Sequence, residues 1–311
     1  MSALSAPFFH DEKAAYAKLE SILWPQGPVC PKCGGMDRIT PVQGKTARIG
    51  LRYCGHCKRQ FRVTVGTVFE SGHVPLNLWL QAAHLLCSSK KGFSSHQLHR
   101  VLGVTYKTAW FMTHRLREAM RDGKLPPLGG KGKAAEIDEH YVGGRQKNKH
   151  AWKRLPKGSG PYAGKEPVFA LVERGGKARS FHLPDVKGKT LREIVNAHLD
   201  GKTVVYTDDN RTTKYAARAF KSESVNHSAG EYVRGEAHTN TVEGYFSILK
   251  RGIIGTYHHV SQQHLKRYLA EFDFRHNERS ALGVEDAERT DRALCGIVGK
   301  RLTYRSADPA R

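Results

Sequence analysis

The chain has 311 residues, with 51 lysines and arginines against 29 aspartates and glutamates, which gives a formal net charge of +22. This charge predicts a polyanionic partner such as DNA, although a ribosomal or merely basic solvated surface is the alternative. The sequence shows no apolar run of transmembrane length and no secretory signal. We therefore expect an intracellular protein without a membrane partner.

Four of the six cysteines are clustered with the spacing of a metal site. Cys30 and Cys33 form one C-x2-C pair, Cys54 and Cys57 form another, and twenty residues separate the two pairs. Because each pair can aim two sulfurs at one ion, the spacing predicts a structural zinc with four thiolate ligands in a zinc ribbon. A helical pattern at residues 11–23 precedes it. A redox pair or unliganded thiols are the alternatives.

Residues 93–120 have the pattern of a helix, a short turn and a second helix. Ser94 or Ser95 is expected to cap the first helix, and Gly103 lies in the turn. The first helix is expected to bury Leu98, Val101 and Leu102. This layout predicts a helix-turn-helix, with a plain helical hairpin as the alternative. The side chains expected to face DNA from the second helix are Tyr106, Lys107, Thr108 and Arg115.

After a linker rich in proline, glycine and lysine at residues 124–133, apolar runs predict three strands, a helix, a strand, a helix, a strand and a helix. Asp138 lies in the first strand and Asp208 ends the fourth. Their neighbours Glu139 and Asp209 are also acidic. Strand alternation puts Asp138 and Glu139 on opposite faces, so only one of them can serve, and we rank Asp138 and Asp208 first.

The segment 238–255 predicts a helix with two faces. Its apolar side is formed by Val242, Tyr245, Phe246, Leu249 and Ile253. The other side carries Asn240, Glu243 and Lys250. Together with the two aspartates, Glu243 would complete a divalent-metal site of the kind that phosphoryl transfer on DNA needs. The structural alternative is a capping box formed by Asn240 and Glu243.

These motifs together resemble a known family. The two C-x2-C pairs, the helix-turn-helix and the stretches IDEHYVGG, VVYTDDN and HTNTVEGYFSILKRGIIG are similar to those of insertion-sequence transposases of the IS1595 type, the ISXO2-like group of the DDE superfamily. The resemblance covers about residues 28–279. It implies an α/β fold with an RNase-H-like core, a mixed five-stranded sheet with helices, preceded by the zinc ribbon and the helix-turn-helix domain.

The resemblance also implies a site. Its catalytic triad falls on Asp138, Asp208 and Glu243, which would hold two Mg2+ or Mn2+ ions in addition to the one structural zinc. Some relatives have asparagine as the third ligand, so Asn240 is an alternative to Glu243. Lys250 matches a position at which the family often has a basic residue that contacts DNA near the cleaved phosphate, and Arg251 follows it.

The implied partners are double-stranded DNA, as terminal inverted repeats and as target, and further copies of the chain in a homodimer or larger assembly on DNA. A basic loop between the first two strands would add phosphate contacts through Arg145, Lys147, Lys149, Lys153 and Arg154. The expected location is the bacterial cytoplasm, in association with the nucleoid. The expected domains are an N-terminal helix plus zinc ribbon at 1–72, a helix-turn-helix domain at 73–123, the linker at 124–133, the catalytic domain at 134–285 and a tail at 286–311.

Two other functions would use parts of the same chain. A non-catalytic DNA-binding regulator needs the ribbon and the helix-turn-helix, but it does not need acids on strands. An RNase-H-like nuclease without strand transfer would cut DNA but would not join ends to a target. An inactive relative is disfavoured because the triad residues are intact.

Overall fold

The computed structural model describes residues 3–123, 125–144, 146–156 and 158–303. Arg145 of the basic loop, Lys124 of the linker and residues 304–311 of the expected tail lie outside the described residues. The chain separates into two compact units. The N-terminal unit contains the residues up to Arg121 together with those from Gly283 onward, and the central unit runs from Asp122 to Leu282.

The N-terminal unit begins with a helix and a small ribbon. Helix α1 (Glu12–Leu23) is capped by Asp11, whose carboxylate accepts a hydrogen bond from the Ala14 amide at 2.7 Å. The antiparallel ribbon sheet has the order β1-β2-β3. Its strands are β1 (Ile39–Pro41), β2 (Arg52–Cys54) and β3 (Gln60–Phe61).

Three helices follow the ribbon: α2 (Leu76–Ser88), α3 (Ser95–Leu102) and α4 (Tyr106–Met120). Ser94 and Gln97 form a capping box at the start of α3, and Gly103 ends this helix with a φ of 66°, a conformation that glycine adopts without strain. The burial expected for Val101 is wrong, because 59% of this residue is exposed. Leu98 and Leu102 alone carry the buried side of this two-turn helix.

The segment expected to be a tail begins with a helix. Helix α9 (Asp286–Cys295) packs against α2 within the N-terminal unit. Its buried face carries Arg289, Thr290, Ala293 and Leu294, and the Arg289 guanidinium donates to the Cys87 carbonyl at 3.1 Å. The spacing of these residues at i, i+1, i+4 and i+5 gives the helix one face to bury.

The central unit is built on a mixed five-stranded sheet with the order β6-β5-β4-β7-β8. The parallel pairs are β4 with β7 and β7 with β8, whereas β4, β5 and β6 pair antiparallel. The strands are β4 (Ala134–Val142), β5 (Glu166–Glu173), β6 (Ala178–His182), β7 (Val204–Asp208) and β8 (Lys221–Val225). The helices are α5 (Gly188–His198), α6 (Arg211–Ala217), α7 (Asn240–Gly252) and α8 (Gln262–Asn277).

The two faces of this sheet form separate apolar cores. On one face Val168 and Ala170 pack with α7 and α8, and on the other Ile137 and Phe169 pack with α5 and α6. Residues of opposite parity in β4 therefore point to different helical layers. The predicted fold class, an RNase-H-like mixed sheet preceded by a ribbon and helices, is confirmed. In the part of the chain that the structure describes, no helix is long and apolar enough to span a bilayer.

Candidate active site and metal centre

The four predicted zinc ligands come together in the ribbon. The Sγ atoms of Cys30 and Cys57 lie 3.7 Å apart, and those of Cys33 and Cys54 lie 3.6 Å apart. A tetrahedral zinc with Zn–S distances of about 2.3 Å requires sulfurs that are about 3.8 Å apart. All four sulfurs lie within 4.8 Å of one another, so the thiols fit one four-coordinate zinc ion.

The second helix of the helix-turn-helix places the predicted DNA-facing residues in two different environments. Tyr106 is 44% exposed and stacks on His96, Lys107 is exposed and Thr108 is half-buried. Arg115 is only 7% exposed, and its guanidinium donates to the carbonyl oxygens of Glu70 at 3.1 Å and Leu302 at 3.2 Å. The exposure expected for Arg115 is therefore wrong, because two segments distant in sequence cover that side of α4.

Asp138 and Asp208 lie on adjacent parallel strands. The register of β4 and β7 pairs Glu136 with Tyr206, and both acids follow two residues later on their strands. Continuing this register places Asp138 beside Asp208, at the ordinary strand separation of about 4.8 Å. Asp208 is the last residue of β7, and its Oδ1 accepts hydrogen bonds from the Thr213 hydroxyl at 2.8 Å and the Asn210 amide at 3.3 Å.

Glu243 reaches the same region from α7. This residue lies in the first turn of the helix, and its Oε1 accepts a hydrogen bond from the Thr239 hydroxyl at 2.8 Å. The ring of His227 lies further out, with its Nε2 3.8 Å from the same oxygen. Half of the Glu243 side chain is exposed, so this carboxylate remains accessible from solvent.

The electrostatics of Asp138 connect the three acids. Burial first, and then the negative charges of Asp208, Glu139 and Glu243, raise the pKa of Asp138 to about 8. A carboxyl group surrounded in this way is unfavourable in its charged form, and a cation among the acids would relieve the repulsion. In the described residues the three carboxylates do not form a close ligand group of the kind the thiols form.

Glu139 and Asp209, the acidic neighbours of Asp138 and Asp208, have different surroundings from those two residues. Glu139 lies on the α6 side of the sheet, where its Oε1 accepts a hydrogen bond from the Asn210 side-chain amide at 2.5 Å. Burial and the charge of Asp208 raise the pKa of Glu139 to about 7, so it shares the field of the site without facing α7. Asp209 forms an ion pair with Lys214 of α6.

Asn240 is the first residue of α7 and is exposed. The capping box considered for Asn240 and Glu243 does not form, because the cap position is taken by Thr239 and its hydroxyl binds the Glu243 carboxylate instead. Asn240 therefore stays an alternative third ligand on position alone.

Basic groups lie next to the acids along β4. His140 follows Asp138 by two residues and its ring packs on Phe246 of α7 at a centroid distance of 5.3 Å. Burial first, and then the charges of Lys250 and Lys165, lower the pKa of His140 to about 4. The charge of Lys250 thus reaches His140. Both residues lie near the end of β4 at which the basic loop begins. In that loop Lys147, Lys153 and Arg154 are exposed and Lys149 is half-buried.

Comparison with known proteins identifies the family. Residues 10–60 match the transposase zinc-ribbon domain of the IS1595 family, and residues 128–277 match the ISXO2-like transposase domain of the same family. The chain is also 33% identical over 280 residues to the "uncharacterized protein in transposable element ISH50" of Halobacterium salinarum, which covers 86% of this chain and 91% of that protein. The chain belongs to the IS1595 family of transposases.

The two metal sites of this transposase are indicated by different observations. The ribbon and its four cysteines indicate a structural zinc, and the DDE domain implies a divalent metal in the central unit. The predicted family is confirmed, whereas the individual catalytic and DNA-binding residues stay predictions. A chain in the structure of a simian T-cell lymphotropic virus intasome in complex with PP2A regulatory subunit B56 gamma is 12% identical, covering 57% of this chain and 63% of that chain, with a TM-score of 0.27.

Several residues around the acids of this transposase were not singled out from the sequence. They are Glu136, Arg174, Asn210, Thr239 and His227. The pattern AEIDEH did offer a signal, because Glu136 precedes Asp138 by two residues and therefore shares its face of the strand. The other four lie in the segments between strands and helices, and nothing in their local pattern relates them to the acids.

Proposed function

We propose that this IS1595-family transposase binds the terminal inverted repeats of an insertion sequence, cleaves DNA at the element ends and joins the freed 3′ ends to target DNA. Asp138, Asp208 and Glu243 are the catalytic residues of this proposal. The observation that supports it most is the partly buried Asp138 carboxyl, on the strand next to that of Asp208, whose pKa is raised by burial and by the charges of both Asp208 and Glu243.

The donor set fits Mg2+ or Mn2+. Hard divalent cations prefer oxygen ligands, and neighbouring carboxylates repel one another unless a cation lies among them. We therefore assign two such ions to Asp138, Asp208 and Glu243. When bound, they would activate the attacking hydroxyl and stabilise the leaving 3′ oxygen. The chain itself supplies two acids fixed on adjacent strands and a third that is open to solvent on α7.

The phosphate contacts near the cut would come from the C-terminal half of α7. Lys250 is exposed beside His140, which is neutral at pH 7, so the cation faces an uncharged neighbour rather than a competing one. Arg251 is exposed as well and donates to the Ser247 hydroxyl at 2.8 Å, which orients its guanidinium. Lys147, Lys149, Lys153 and Arg154 of the basic loop would extend this phosphate-binding surface.

Recognition of the terminal repeats would fall to the N-terminal unit. Tyr106, Lys107 and Thr108 lie in the first turn of α4, where the recognition helix of a helix-turn-helix contacts base edges and phosphates. Arg115 is buried and is therefore not one of the proposed DNA contacts. Since transposition joins two ends of one element, we expect at least two copies of the chain on paired ends.

A cleavage-and-joining assay tests this function. The full-length protein is incubated with DNA that carries an element end, a target plasmid and Mg2+, alongside Asp208→Ala and the neighbouring control Asp209→Asn. Wild type and Asp209→Asn should cut and join, because Asp209 only pairs with Lys214 at the surface. Asp208→Ala should lose both reactions by at least ~10³-fold, while its binding to the element end stays near that of wild type.

The outcomes separate the alternatives. Binding without cuts by the wild type would make the protein a regulator, and cuts without joined products would make it a nuclease. Cleavage by Asp208→Ala at the rate of the wild type would show that the acids have been assigned incorrectly.

A further inference from the structure

A layer of interactions lies directly beneath the three acids. Glu136, Tyr206 and Thr241 precede Asp138, Asp208 and Glu243, respectively, each by two residues. Glu136 and Tyr206 are paired across β4 and β7, and the Glu136 carboxylate also contacts Thr241. The two strands and the helix that carry the acids are therefore connected to one another two residues before each acid.

The Glu136 carboxylate serves as the cap of α7. Its Oε2 accepts hydrogen bonds from the backbone amides of Thr241 at 2.7 Å and Val242 at 3.0 Å, and its Oε1 accepts one from the Thr241 hydroxyl at 2.8 Å. The residue at the cap position, Thr239, makes no side-chain bond to these amides. A helix N-terminus has unpaired amides and a partial positive charge. A carboxylate from β4 stabilises it both by accepting hydrogen bonds from the amides and by its negative charge.

Arg174, which follows β5, connects this carboxylate to the rest of the layer. Its Nε donates to Glu136 Oε1 at 2.7 Å, and its Nη2 donates to the carbonyl of His238 at 3.0 Å, just before α7. The guanidinium also lies over the Tyr206 ring, 4.1 Å from its centroid. One cation thus contacts β4, β7 and the segment that leads into α7.

The burial of this pair indicates more than packing. The Glu136 side chain is completely buried and that of Arg174 is 18% exposed. Removing a carboxylate from water is expensive, and a buried ion pair is often no more stable than apolar residues of the same volume. What the pair provides, and apolar residues would not, is a directional link between the strand that carries Asp138 and the helix that carries Glu243.

We propose that Glu136 and Arg174 are positioning residues: they fix the first turn of α7, and with it Glu243, on the side of the sheet that carries Asp138 and Asp208. This inference rests on the proposed function of the three acids. The aspartates are fixed by the sheet hydrogen bonds, whereas Glu243 depends on the first turn of α7. Loosening that turn displaces only the third ligand, so the loss appears in metal affinity before it appears in the fold.

The test measures Mn2+ binding to the full-length protein directly, by calorimetry or by electron paramagnetic resonance, after zinc has been loaded into the ribbon. In Glu136→Gln an NH2 group replaces one carboxylate oxygen, so the side chain can no longer accept both the Arg174 hydrogen bond and those of the α7 backbone amides. We expect Mn2+ binding to weaken by about 10–100-fold, the usual cost of a lost residue behind a metal ligand. Arg174→Lys should lie between Glu136→Gln and wild type, because a lysine restores the charge but not the second hydrogen bond.

A matched control is provided by Glu271→Gln. Glu271 is also completely buried; it pairs with Arg275 within α8 and accepts a hydrogen bond from the Tyr257 hydroxyl, so this change breaks a buried ion pair on a different helix from Glu243. It should lower the melting temperature in EDTA but leave Mn2+ affinity within about twofold of wild type. If Glu136→Gln does not fold, Thr241→Val removes only the hydroxyl bond to Glu136 and should weaken Mn2+ binding about 2–5-fold.

Wild-type Mn2+ affinity in Glu136→Gln, or an equal loss in Glu271→Gln, would overturn the positioning role. Because binding is measured without DNA, this result does not depend on whether the protein cleaves. Failure of wild type and Asp209→Asn to cut DNA would instead overturn the proposed function, whatever their Mn2+ affinities are.

Discussion

The ribbon site and the acidic site differ in how their ligands are brought together. The four thiols come from two tight turns between residues 30 and 57, and their sulfurs already lie at distances that suit one zinc ion. The three acids come from two strands and a helix between residues 138 and 243, and burial together with mutual repulsion raises the pKa of Asp138. The first site is made by local turns, and the second depends on the whole topology of the central unit.

The two sites also differ in how much metal binding contributes to the stability of the fold around them. A zinc ribbon has little apolar core of its own, with Cys30, Cys54 and Phe61 as its buried apolar cluster, so metal binding has to supply much of its stability. The acidic site has a complete sheet and two helical layers beneath it, and its acids are unfavourable to that fold when no cation is bound. Metal removal should therefore affect the two sites in opposite ways.

The largest effect is expected from Cys54→Ser. This thiol is completely buried, and its loss leaves three ligands for an ion whose binding contributes about 10–16 kcal/mol to small zinc domains. The bound zinc should fall from about one ion per chain to near zero, and the amides of residues 39–61 should lose their protection from hydrogen exchange. Cys295→Ser changes an exposed cysteine outside the cluster and should retain both properties. Full zinc content in Cys54→Ser would contradict the four-thiolate site.

A second prediction compares two basic residues of α4. Arg115→Ala leaves the carbonyls of Glu70 and Leu302 without their donor, which should cost ~2–4 kcal/mol and lower the melting temperature by roughly 5–10 °C. Lys107→Ala should leave the melting temperature unchanged, weaken binding to the element end several-fold and reduce the salt slope by about one. Calorimetry and binding at several salt concentrations check both. Exchanged effects would mean that Arg115 faces DNA after all.

This pair also marks the limit of what could be predicted from the sequence. The helices around Gly103 follow from caps, a turn glycine and apolar spacing, which are local properties. Whether a basic residue of α4 is exposed depends on which distant segment covers it. For Arg115 that segment includes Leu302, far along the chain and in a stretch expected to be a tail. No pattern within α4 contains that information.

The acidic site shows the same division. The strands and their acids were predictable because apolar runs end or alternate at Asp138 and Asp208, and the helix was predictable from its apolar face. The cap of α7 was not, because Glu136 replaces a local capping box from a different element. Contacts between elements, rather than the elements themselves, were the missing information.

A smaller effect is expected from Asp138→Asn in EDTA. The folded-state pKa of Asp138 is raised to about 8, so its contribution to stability is complete at low pH and is lost as the pH rises toward 8. At pH 8 the asparagine should stabilise the metal-free protein by at least ~1 kcal/mol, or roughly 2–4 °C in melting temperature. At pH 4 the gain should vanish because the wild-type carboxyl is then protonated. Destabilisation at both pH values would contradict the proposed repulsion among the acids.

The smallest effect concerns Thr239, whose hydroxyl donates to Glu243 Oε1 at 2.8 Å and lies 3.2 Å from the His227 ring nitrogen. Thr239→Val keeps the shape of this buried residue and removes one hydrogen bond to the carboxylate, which is worth ~0.5–1 kcal/mol. We expect cleavage at limiting Mg2+ to fall about 2–5-fold and to recover when Mg2+ is saturating. Thr190→Val, which removes a comparable bond to Asp185, should change neither rate. A loss that saturating Mg2+ does not restore would show that Thr239 acts on a step other than metal binding. The predicted recovery would sharpen the contrast with the ribbon. Loss of one thiol removes the zinc, whereas loss of one hydroxyl beside Glu243 only lowers the metal affinity of the central unit.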